Sequence, residues 1–465
     1  MDNMGIISLI PIVIAIALSL ITRNTVFSLA IACIIGCFIS GAGVWGFTDL
    51  IMESLGNADF IWVAFIILFF GVLVSYYEKS GAIDGFTAYV QSNNLKRRGV
   101  QLLSWFLGLF CFADSMSPLF VGSVMRRLSD KAKISREKLA YIADSTASPL
   151  AVICPYSSWP SYVAGLIVGI GCIGLNDTDV ALHTVFKSIP LNFYAIACVA
   201  LVGLIGAGVI KDFGPMKKAE KRAQEEGKLI ADGAVPLSST TAEGKGLLEK
   251  PRVFINFILP TVLLVVITVL TGFVGGEMRI LEAVTIIIIL MSISFLIQGM
   301  KLKDLMSAFS DGITGAMPAL MVLAVAYPLN TLSSHMGTAN YIIQITEGFL
   351  TPALLPFVIF VICAILSFAT GTSWGTYAIC LPLALPIAFA ASDNQISLLV
   401  LLCLAAVQGG GVFGDHCSPV SDTTIMASMG AGSDHVDHVK TQLPYALISA
   451  GVAAILYLIL GFIAA

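Results

Sequence analysis

Charged residues are scarce in this sequence. Only 12% of its 465 residues are Asp, Glu, Lys or Arg, whereas 57% are hydrophobic. Soluble domains carry about 25% charged residues, so this composition excludes an ordinary soluble protein. Many apolar runs approach roughly 20 residues, the length that a helix needs to cross a bilayer. The composition therefore predicts an all-α polytopic membrane protein.

Motifs of soluble enzymes and of nucleic-acid binding are also missing. No Walker A motif, HExxH motif or G-x-S-x-G elbow appears in a fitting context, so an enzyme is the least favoured class. The net charge is −4, and no basic patch suggests a nucleic-acid partner. The ten cysteines form no CxxC pair, which favours buried packing. The N-terminal segment lacks the features of a cleaved signal peptide, so it is expected to remain as the first span.

Ten apolar segments are predicted to cross the membrane. They are residues 6–22, 24–40, 60–78, 137–172, 184–210, 253–274, 280–298, 304–328, 396–428 and 444–463. Two further apolar stretches, 101–125 and 352–390, are predicted to be re-entrant hairpins from opposite faces. Basic segments flank the first stretch on both sides, and basic loops favour the cytoplasm. With ten crossings, both termini are predicted to lie outside.

The two halves of the chain resemble each other in order. Three of the matches are “CFADSMS” (111–117) with “SFATGTS” (367–373), Gly81 with Gly337, and “DSTASP” (144–149) with “DHCSP” (415–419). Each half would hold five crossings, and because five is odd, the second half must run opposite to the first. We therefore predict two inverted-topology repeats, residues 1–210 and 253–465, joined by a cytoplasmic linker at 211–252 with solvated charges.

Polar residues interrupt four of the apolar segments at membrane depth. The interruptions are “FADSMSP”, “DSTASP”, “FATGTSWG” and “GGGVFGDHCSPVSDTT”. Broken helices survive there only when they are buried in protein or line a water-filled cavity. Inverted repeats with broken helices are typical of secondary transporters, whose sites lie near the bilayer midplane. The glycines at 409–411 permit close backbone approach, and Pro419 ends or kinks its helix.

Carboxylates and hydroxyls in these breaks are the candidate ligands of a small cation. A carboxylate near the bilayer centre costs about 3 kcal/mol or more unless it is paired or hydrated, so it is suited to hold a proton or a cation. Asp114 and Asp415 are the first choices for sodium; Asp144 and Asp422 either join them or cap a half-helix. The candidate hydroxyl ligands are Ser115, Ser117, Ser145, Thr146, Ser148, Thr370, Thr372, Ser373, Ser418, Thr423 and Thr424. Hydroxyls of this kind also link transmembrane helices without touching cargo.

Histidines and other acidic residues allow competing interpretations. His416 either titrates near neutral pH or serves as a fixed hydrogen-bond partner. His435 and His438 have HxxH spacing, yet on a short cytoplasmic loop they are expected to be solvated and not to bind a metal. Glu78 lies at a predicted span end, where we expect it to stay hydrated.

The stretch “GGGVFGDHCSPVSDTT” resembles the signature of the NhaC-type sodium/proton antiporter family, and “FADSMSP” and “DSTASPLAVICPYSSW” resemble its first-half motifs. The resemblance covers most of the apolar chain outside 211–252. It implies an inverted-repeat fold of the ion transporter superfamily in a bacterial or archaeal inner membrane. It also implies transport of Na+ and H+ with no cofactor, and an elevator-like shift of segments 101–172 and 352–428. A homodimer is a further hypothesis, because scaffolds of this superfamily often dimerise.

An organic cargo is the alternative function. The wider family includes malate/lactate exchangers and amino acid carriers, so the resemblance also fits sodium-coupled transport or exchange of a small organic solute. Trp159 and Trp374 lie near the breaks, where an aromatic ring either packs on an organic group or, as is more common, anchors the protein at the membrane interface. Half-helix N-termini also attract carboxylates. A channel is a third class, which the inverted repeat disfavours.

Overall fold

The architecture is that of a computed structural model. It describes residues 4–22, 24–82, 85, 96–110, 117–154, 157–170, 175, 178–237, 247–248, 252–275, 279–338, 341, 344 and 351–464. Within these ranges the regular structure is helical, apart from one isolated β-bridge between Pro236 and Asp434. The predicted all-helical class is therefore confirmed for this part of the chain. Helices suit so apolar a sequence because they pair their own backbone groups inside a bilayer.

The first half of the chain contains eleven described α-helices. They are α1 (Ile10–Thr22), α2 (Thr25–Ile39), α3 (Gly43–Leu55), α4 (Ala58–Lys79), α5 (Arg97–Phe110), α6 (Ser117–Lys131), α7 (Arg136–Ser145), α8 (Ser148–Ala151), α9 (Ser158–Ile170), α10 (Thr178–Ser188) and α11 (Phe193–Gly206). A 3-10 turn at Gly5–Leu9 leads into α1, and another at Ile189–Leu191 separates α10 from α11.

The linker region and the second half contribute the remaining described helices. They are α12 (Gly214–Glu225), α13 (Leu259–Gly275), α14 (Ile280–Ile297), α15 (Leu302–His335), α16 (Leu355–Thr370), α17 (Ser373–Ala390), α18 (Leu398–Asp415), α19 (Asp422–Ala431) and α20 (His435–Ala464). A π-helical turn at Phe254–Ile258 precedes α13.

Six described helical stretches are long and apolar enough to cross a membrane by themselves. They are Phe60–Lys79, Phe254–Thr271, Ile280–Ile297, Ser373–Ala390, Leu398–Asp415 and His435–Ala464. The pair Val180–Leu191 and Phe193–Gly206, bent by 49°, adds a seventh if it counts as one span. The chain is therefore a multi-pass membrane protein. The ten crossings, the two re-entrant hairpins and the inverted repeat stay predictions.

Three of the four predicted interruptions lie within the described residues, and a helix ends at each of them. The breaks separate α7 from α8, α16 from α17, and α18 from α19. Gly371, in the second break, has a φ of 69°, a left-handed conformation that glycine adopts at little cost. The remaining interruption, “FADSMSP” at 112–118, lies mostly outside the described part of the chain; only its last two residues are described, and they begin α6.

Two buried hydrophobic cores hold the helices together. One includes residues of α2, α4, α6, α14, α15 and α19, and the other includes residues of α9, α10, α11, α16, α17, α18 and α20. Each core thus combines helices from both predicted repeats, so the two halves interleave in space. The boundaries at 1–210, 211–252 and 253–465 stay a prediction about chain organisation.

Close backbone approach explains the glycines of α18. A Cβ at Gly410 would lie 2.5 Å from the carbonyl oxygen of Phe360, and one at Gly409 would lie 2.9 Å from Oδ1 of Asn192. At Gly414 an added Cβ would overlap the backbone of Ser367 and Phe368. The contacts at Gly410 and Gly414 bring α18 directly against the backbone of α16, whereas Gly409 meets a side chain. The close backbone approach predicted for 409–411 is thus found at Gly410.

Gly414→Ala is expected to prevent correct folding, because the neighbouring atoms belong to the backbone of α16 and cannot rotate away. Overpacking of a core typically costs about 1–3 kcal/mol and more where backbone must shift. The measurement is the melting temperature and monodispersity of the purified variant in detergent. Gly451→Ala on α20 is the matched control, since its Cβ would meet nothing within 4 Å. Equal melting temperatures for the two variants would contradict the close packing of α16 and α18.

A buried ion pair connects α4 with α6. Nη2 of Arg126 lies 3.0 Å from Oε1 of Glu78, and the two side chains are only 6% and 5% exposed. The expectation that Glu78 stays hydrated is therefore wrong, because α6 covers the end of α4 and the Arg126 guanidinium pairs with the Glu78 carboxylate. Breaking such a buried pair by removing one partner typically costs about 3–5 kcal/mol.

The first part of the linker packs on the helix ends. Glu220 of α12 is buried, accepts a hydrogen bond from the backbone nitrogen of Ser135 at 2.8 Å, and pairs with Arg97. Arg222 forms an ion pair with Glu137 at 2.7 Å. The expectation that the linker charges are all solvated is thus wrong for these residues, because α12 places them against the starts of α5 and α7.

Candidate functional site

The carboxylate of Asp415 is buried at the end of α18. It is 2% exposed, and each of its oxygens accepts one hydrogen bond from a serine hydroxyl. Ser373, at the start of α17, donates to Oδ2 at 2.8 Å, and Ser421, at the start of α19, donates to Oδ1 at 2.8 Å. Three separate helix ends therefore meet at this carboxylate.

The backbone carbonyl of Asp415 is also held by hydroxyls. Because α18 stops here, this carbonyl has no partner in a following helical turn. Thr423 and Thr424 each donate to it from Oγ1 at 3.2 Å. Oγ of Ser421 lies 2.9 Å from Oγ1 of Thr423. The break thus gathers one carboxylate, one freed carbonyl and three hydroxyls at a single point.

A second buried carboxylate, Asp144, lies near enough to Asp415 to interact with it electrostatically. Asp144 lies near the end of α7 and is 0% exposed. Its Oδ2 accepts hydrogen bonds from Nε2 of Gln442 at 2.9 Å and from Nε2 of His438 at 3.1 Å. Its Oδ1 has no hydrogen bond of good geometry among the described residues, although the hydroxyl of Thr424 lies beside this carboxylate. The structure therefore brings together one predicted carboxylate from each half of the chain.

Several predicted hydroxyls of the first half are buried, and one of them, Ser148, lies beside Asp415. The hydroxyls of Ser117, Ser145 and Ser148 have no hydrogen-bond partner in the described part of the chain. Ser148 lies beside the carboxylate of Asp415 without a hydrogen bond of good geometry. Thr146 instead donates to the carbonyl oxygen of Ile142 in its own helix at 2.8 Å. Ser148 is thus the hydroxyl of this group best placed to complete a site around Asp415.

Other candidates are engaged elsewhere. Thr370 donates to the carbonyl oxygen of Leu366 at 2.8 Å, and Ser418 donates to that of Phe368 at 2.6 Å. Thr372 caps α17. Asp422 is the first residue of α19, where its Oδ1 accepts from the backbone nitrogen of Thr423 at 2.8 Å. This position favours the capping role for Asp422, since a negative charge stabilises a helix N-terminus.

His416 is enclosed on both ring nitrogens. Its Nδ1 lies 3.1 Å from the hydroxyl of Tyr194, and its Nε2 lies 3.3 Å from Sγ of Cys198, both on α11. Its backbone carbonyl accepts from Nε2 of Gln442. This geometry favours the fixed hydrogen-bond partner over a freely titrating group. Asp114 and Ser115 lie outside the described residues, so their place in the site stays a prediction.

Comparison with known proteins identifies the family. The sequence profile of the Na+/H+ antiporter family matches residues 150–462, about two thirds of the chain. The chain belongs to this family. It is therefore a secondary transporter of the antiporter type, and its family is one of transporters, not an enzyme class. The matched region includes Ser373, Asp415 and Gln442, whereas Asp144 precedes it.

Relatives of this antiporter differ in what their names state as cargo. An uncharacterised protein of Haemophilus influenzae is 33% identical over 98% of this chain and 91% of its own length. The malate-2H(+)/Na(+)-lactate antiporter of Bacillus subtilis is 31% identical over 35% of this chain and 34% of its own. The Na(+)/H(+) antiporter NhaC of Alkalihalophilus pseudofirmus is 27% identical over 34% of this chain and 33% of its own.

The candidate site also contains buried residues that were not predicted to belong to it. Gln442 and His438 contact Asp144, and His435 binds the carbonyl oxygen of Pro419 through Nε2 at 2.8 Å. All three are buried, so the expectation that His435 and His438 are solvated is wrong. The reason is that α20 begins at His435, earlier than the predicted span at 444–463. Residues 435, 438 and 442 have i, i+3, i+7 spacing, and this pattern could have revealed one polar helix face.

Proposed function

We propose that this antiporter exchanges sodium for protons, with Asp144 and Asp415 as the carboxylates that the two ions occupy in turn. The main support for this proposal is a pair of buried acceptor oxygens, one on Asp144 itself and one on a side chain that contacts it. Asp144 Oδ1 and Gln442 Oε1 have no hydrogen-bond partner among the described residues. Such acceptors are costly to bury unless a cation or a proton satisfies them.

The ligand chemistry favours sodium over a softer metal. The groups around Asp415 are carboxylate, hydroxyl and carbonyl oxygens, which are the ligands that hard cations prefer. Sodium and a proton both require a free carboxylate oxygen, so they compete for the same atoms. Asp114 stays a further candidate for this set. Competition at one site, together with exposure to one face at a time, is sufficient for coupled exchange.

Movement of one helix bundle would supply alternating access. In this proposal the segments 101–172 and 352–428, which include both carboxylates, shift as an elevator-like body against a scaffold formed by 24–40 and 280–298. Burial of Asp144 and Asp415 supports this mechanism, because a buried site has to be carried or opened to reach water.

The testing experiment is sodium-driven proton movement in proteoliposomes. Liposomes with an acidic interior and a pH-sensitive dye are diluted into sodium chloride or into choline chloride at the same ionic strength. We expect sodium, but not choline, to dissipate the pH gradient, and the apparent KM for sodium to rise as the external pH falls. A sodium response equal to that of empty liposomes across pH 7–9 would reject the proposal.

An organic solute is the second candidate cargo, and an aromatic pair beside the site favours it. Trp374 directly follows Ser373, a donor to Asp415, and its ring centroid lies 5.3 Å from that of Trp159. The malate and lactate named for one relative are small carboxylates. Adding malate, lactate or amino acids to the same assay separates the two candidates. Gradient dissipation that needs both sodium and one of these solutes would favour the organic cargo.

A further inference from the structure

Two side chains of α20 hold one oxygen of Asp144, and the other oxygen has no hydrogen-bond partner in the described part of the chain. Nε2 of Gln442 and Nε2 of His438 both lie within hydrogen-bond distance of Oδ2, at 2.9 and 3.1 Å. The two residues are one helical turn apart, and both are 0% exposed. Asp144 comes from the first half of the chain and α20 from the end of the second, so this contact fixes the carboxylate across the fold.

The orientation of the Gln442 amide is determined by its surroundings. Its Nε2 donates to two acceptors, Oδ2 of Asp144 and the carbonyl oxygen of His416. If the amide oxygen and nitrogen of Gln442 were exchanged, Oε1 would lie against two other acceptor oxygens, which is unfavourable. The remaining atom, Oε1, is therefore a true acceptor, and it is buried with no donor among the residues that the structure describes.

His438 is held in one tautomer by the same reasoning. Its Nε2 faces a carboxylate oxygen and therefore carries a hydrogen, while its buried Nδ1 has no partner in the described part of the chain. A neutral ring with hydrogen on Nε2 leaves only an acceptor unpaired at Nδ1, which is the less costly arrangement. His438 thus acts as a donor to Asp144.

We infer that Gln442 is a cation-specificity-determining ligand of this antiporter and that His438 is the positioning residue that directs Asp144 toward the same ion. The inference rests on the proposed sodium/proton exchange. Oδ1 of Asp144 and Oε1 of Gln442 supply two oxygen ligands from facing helices, and the two bonds to Oδ2 fix the carboxylate. Selectivity among cations follows from the size and rigidity of such an oxygen set.

Gln442→Met tests the ligand role. Methionine has a similar length and stays apolar, so it removes Oε1 and the two donated bonds with little change in volume. We expect the apparent KM for sodium to rise about tenfold or more, the maximal exchange rate to change little, and the preference for sodium over lithium to fall. Gln408→Met is the matched control, since Gln408 is a buried glutamine whose Nε2 donates to Ser188, away from both carboxylates. It should keep the wild-type KM and selectivity.

His438→Gln and His438→Leu test the positioning role. Glutamine retains an Nε2 donor that can reach Asp144, so we expect it to keep a sodium KM close to that of the wild type, whereas leucine should raise it. Melting temperatures and the stabilisation of each purified variant by sodium show whether a loss of flux reflects misfolding. Wild-type exchange combined with an unchanged KM and selectivity in Gln442→Met would overturn this inference alone. Absence of any sodium effect on the wild type, in flux and in melting temperature, would overturn the proposed function and this inference together.

Discussion

Asp415→Asn is expected to abolish sodium-driven proton movement while leaving the protein folded. Asparagine keeps the size of the side chain and can still accept a hydrogen bond from Ser373 or Ser421, so the meeting point of three helix ends is preserved. It removes the negative charge, and with it the atom that a proton and a sodium ion would share. The measurement is the sodium-induced change of internal pH in proteoliposomes, which should fall to the level of empty liposomes.

Asp422→Asn is the matched control for this result. Asp422 belongs to the same polar stretch, yet it lies at the start of α19 and bonds to the backbone nitrogen of Thr423. Asparagine keeps the Oδ1 acceptor and loses only the favourable charge at the helix N-terminus, worth about 0.3–1 kcal/mol, so we expect transport near that of the wild type and a small decrease in melting temperature. Full exchange by Asp415→Asn would remove Asp415 from the mechanism. Equal loss in both variants would indicate that charge near α19 matters in general.

Local sequence predicts well where the helices break, and these breaks form one part of the candidate site. Glycine, proline and hydroxyl residues within apolar runs predict where a helix ends, because each changes the local backbone preference. The structure ends α7, α16 and α18 at three of these places. Asp415 with Ser373, Thr423 and Thr424 therefore emerges from the sequence as a set of candidates that the fold gathers around one carboxylate.

The partners of Asp144 could not be predicted in the same way. Gln442 and His438 lie almost 300 residues farther along the chain, so no local pattern connects them with Asp144. Their buried state also depends on where α20 begins, and a span defined by hydropathy alone starts too late. Glu78 shows the same limit, since its burial comes from Arg126 on a different helix. Contacts between distant helices are decided by tertiary packing, which composition and periodicity do not encode.

Cross-linking α4 to α6 is expected to stop transport completely. Glu78 and Arg126 contact each other at 3.0 Å, and Glu78→Cys/Arg126→Cys leaves the space of the two longer side chains for a small, membrane-permeant, reductively cleavable bifunctional thiol reagent. α4 packs on α14 through the hydroxyl of Tyr76, which lies 3.0 Å from Oγ of Ser292, and α14 belongs to the proposed scaffold. α6 belongs to the proposed moving bundle. A covalent link between the two should therefore abolish exchange, and cleavage of the reagent should restore it.

The decisive comparison is a link within the moving bundle. Asp130 and Arg136 form an ion pair at 3.1 Å between the end of α6 and the start of α7, so Asp130→Cys/Arg136→Cys accepts the same reagent without joining bundle to scaffold. Exchange should survive that link, because a rigid body carries its own internal contacts through any displacement. The eight described native cysteines are all buried. Variants that carry only one of the two introduced cysteines measure any reaction of the reagent with these native cysteines. If the α4–α6 link left exchange intact, these two helices would not move apart during transport, and access to Asp144 and Asp415 would have to come from local opening of the helix breaks.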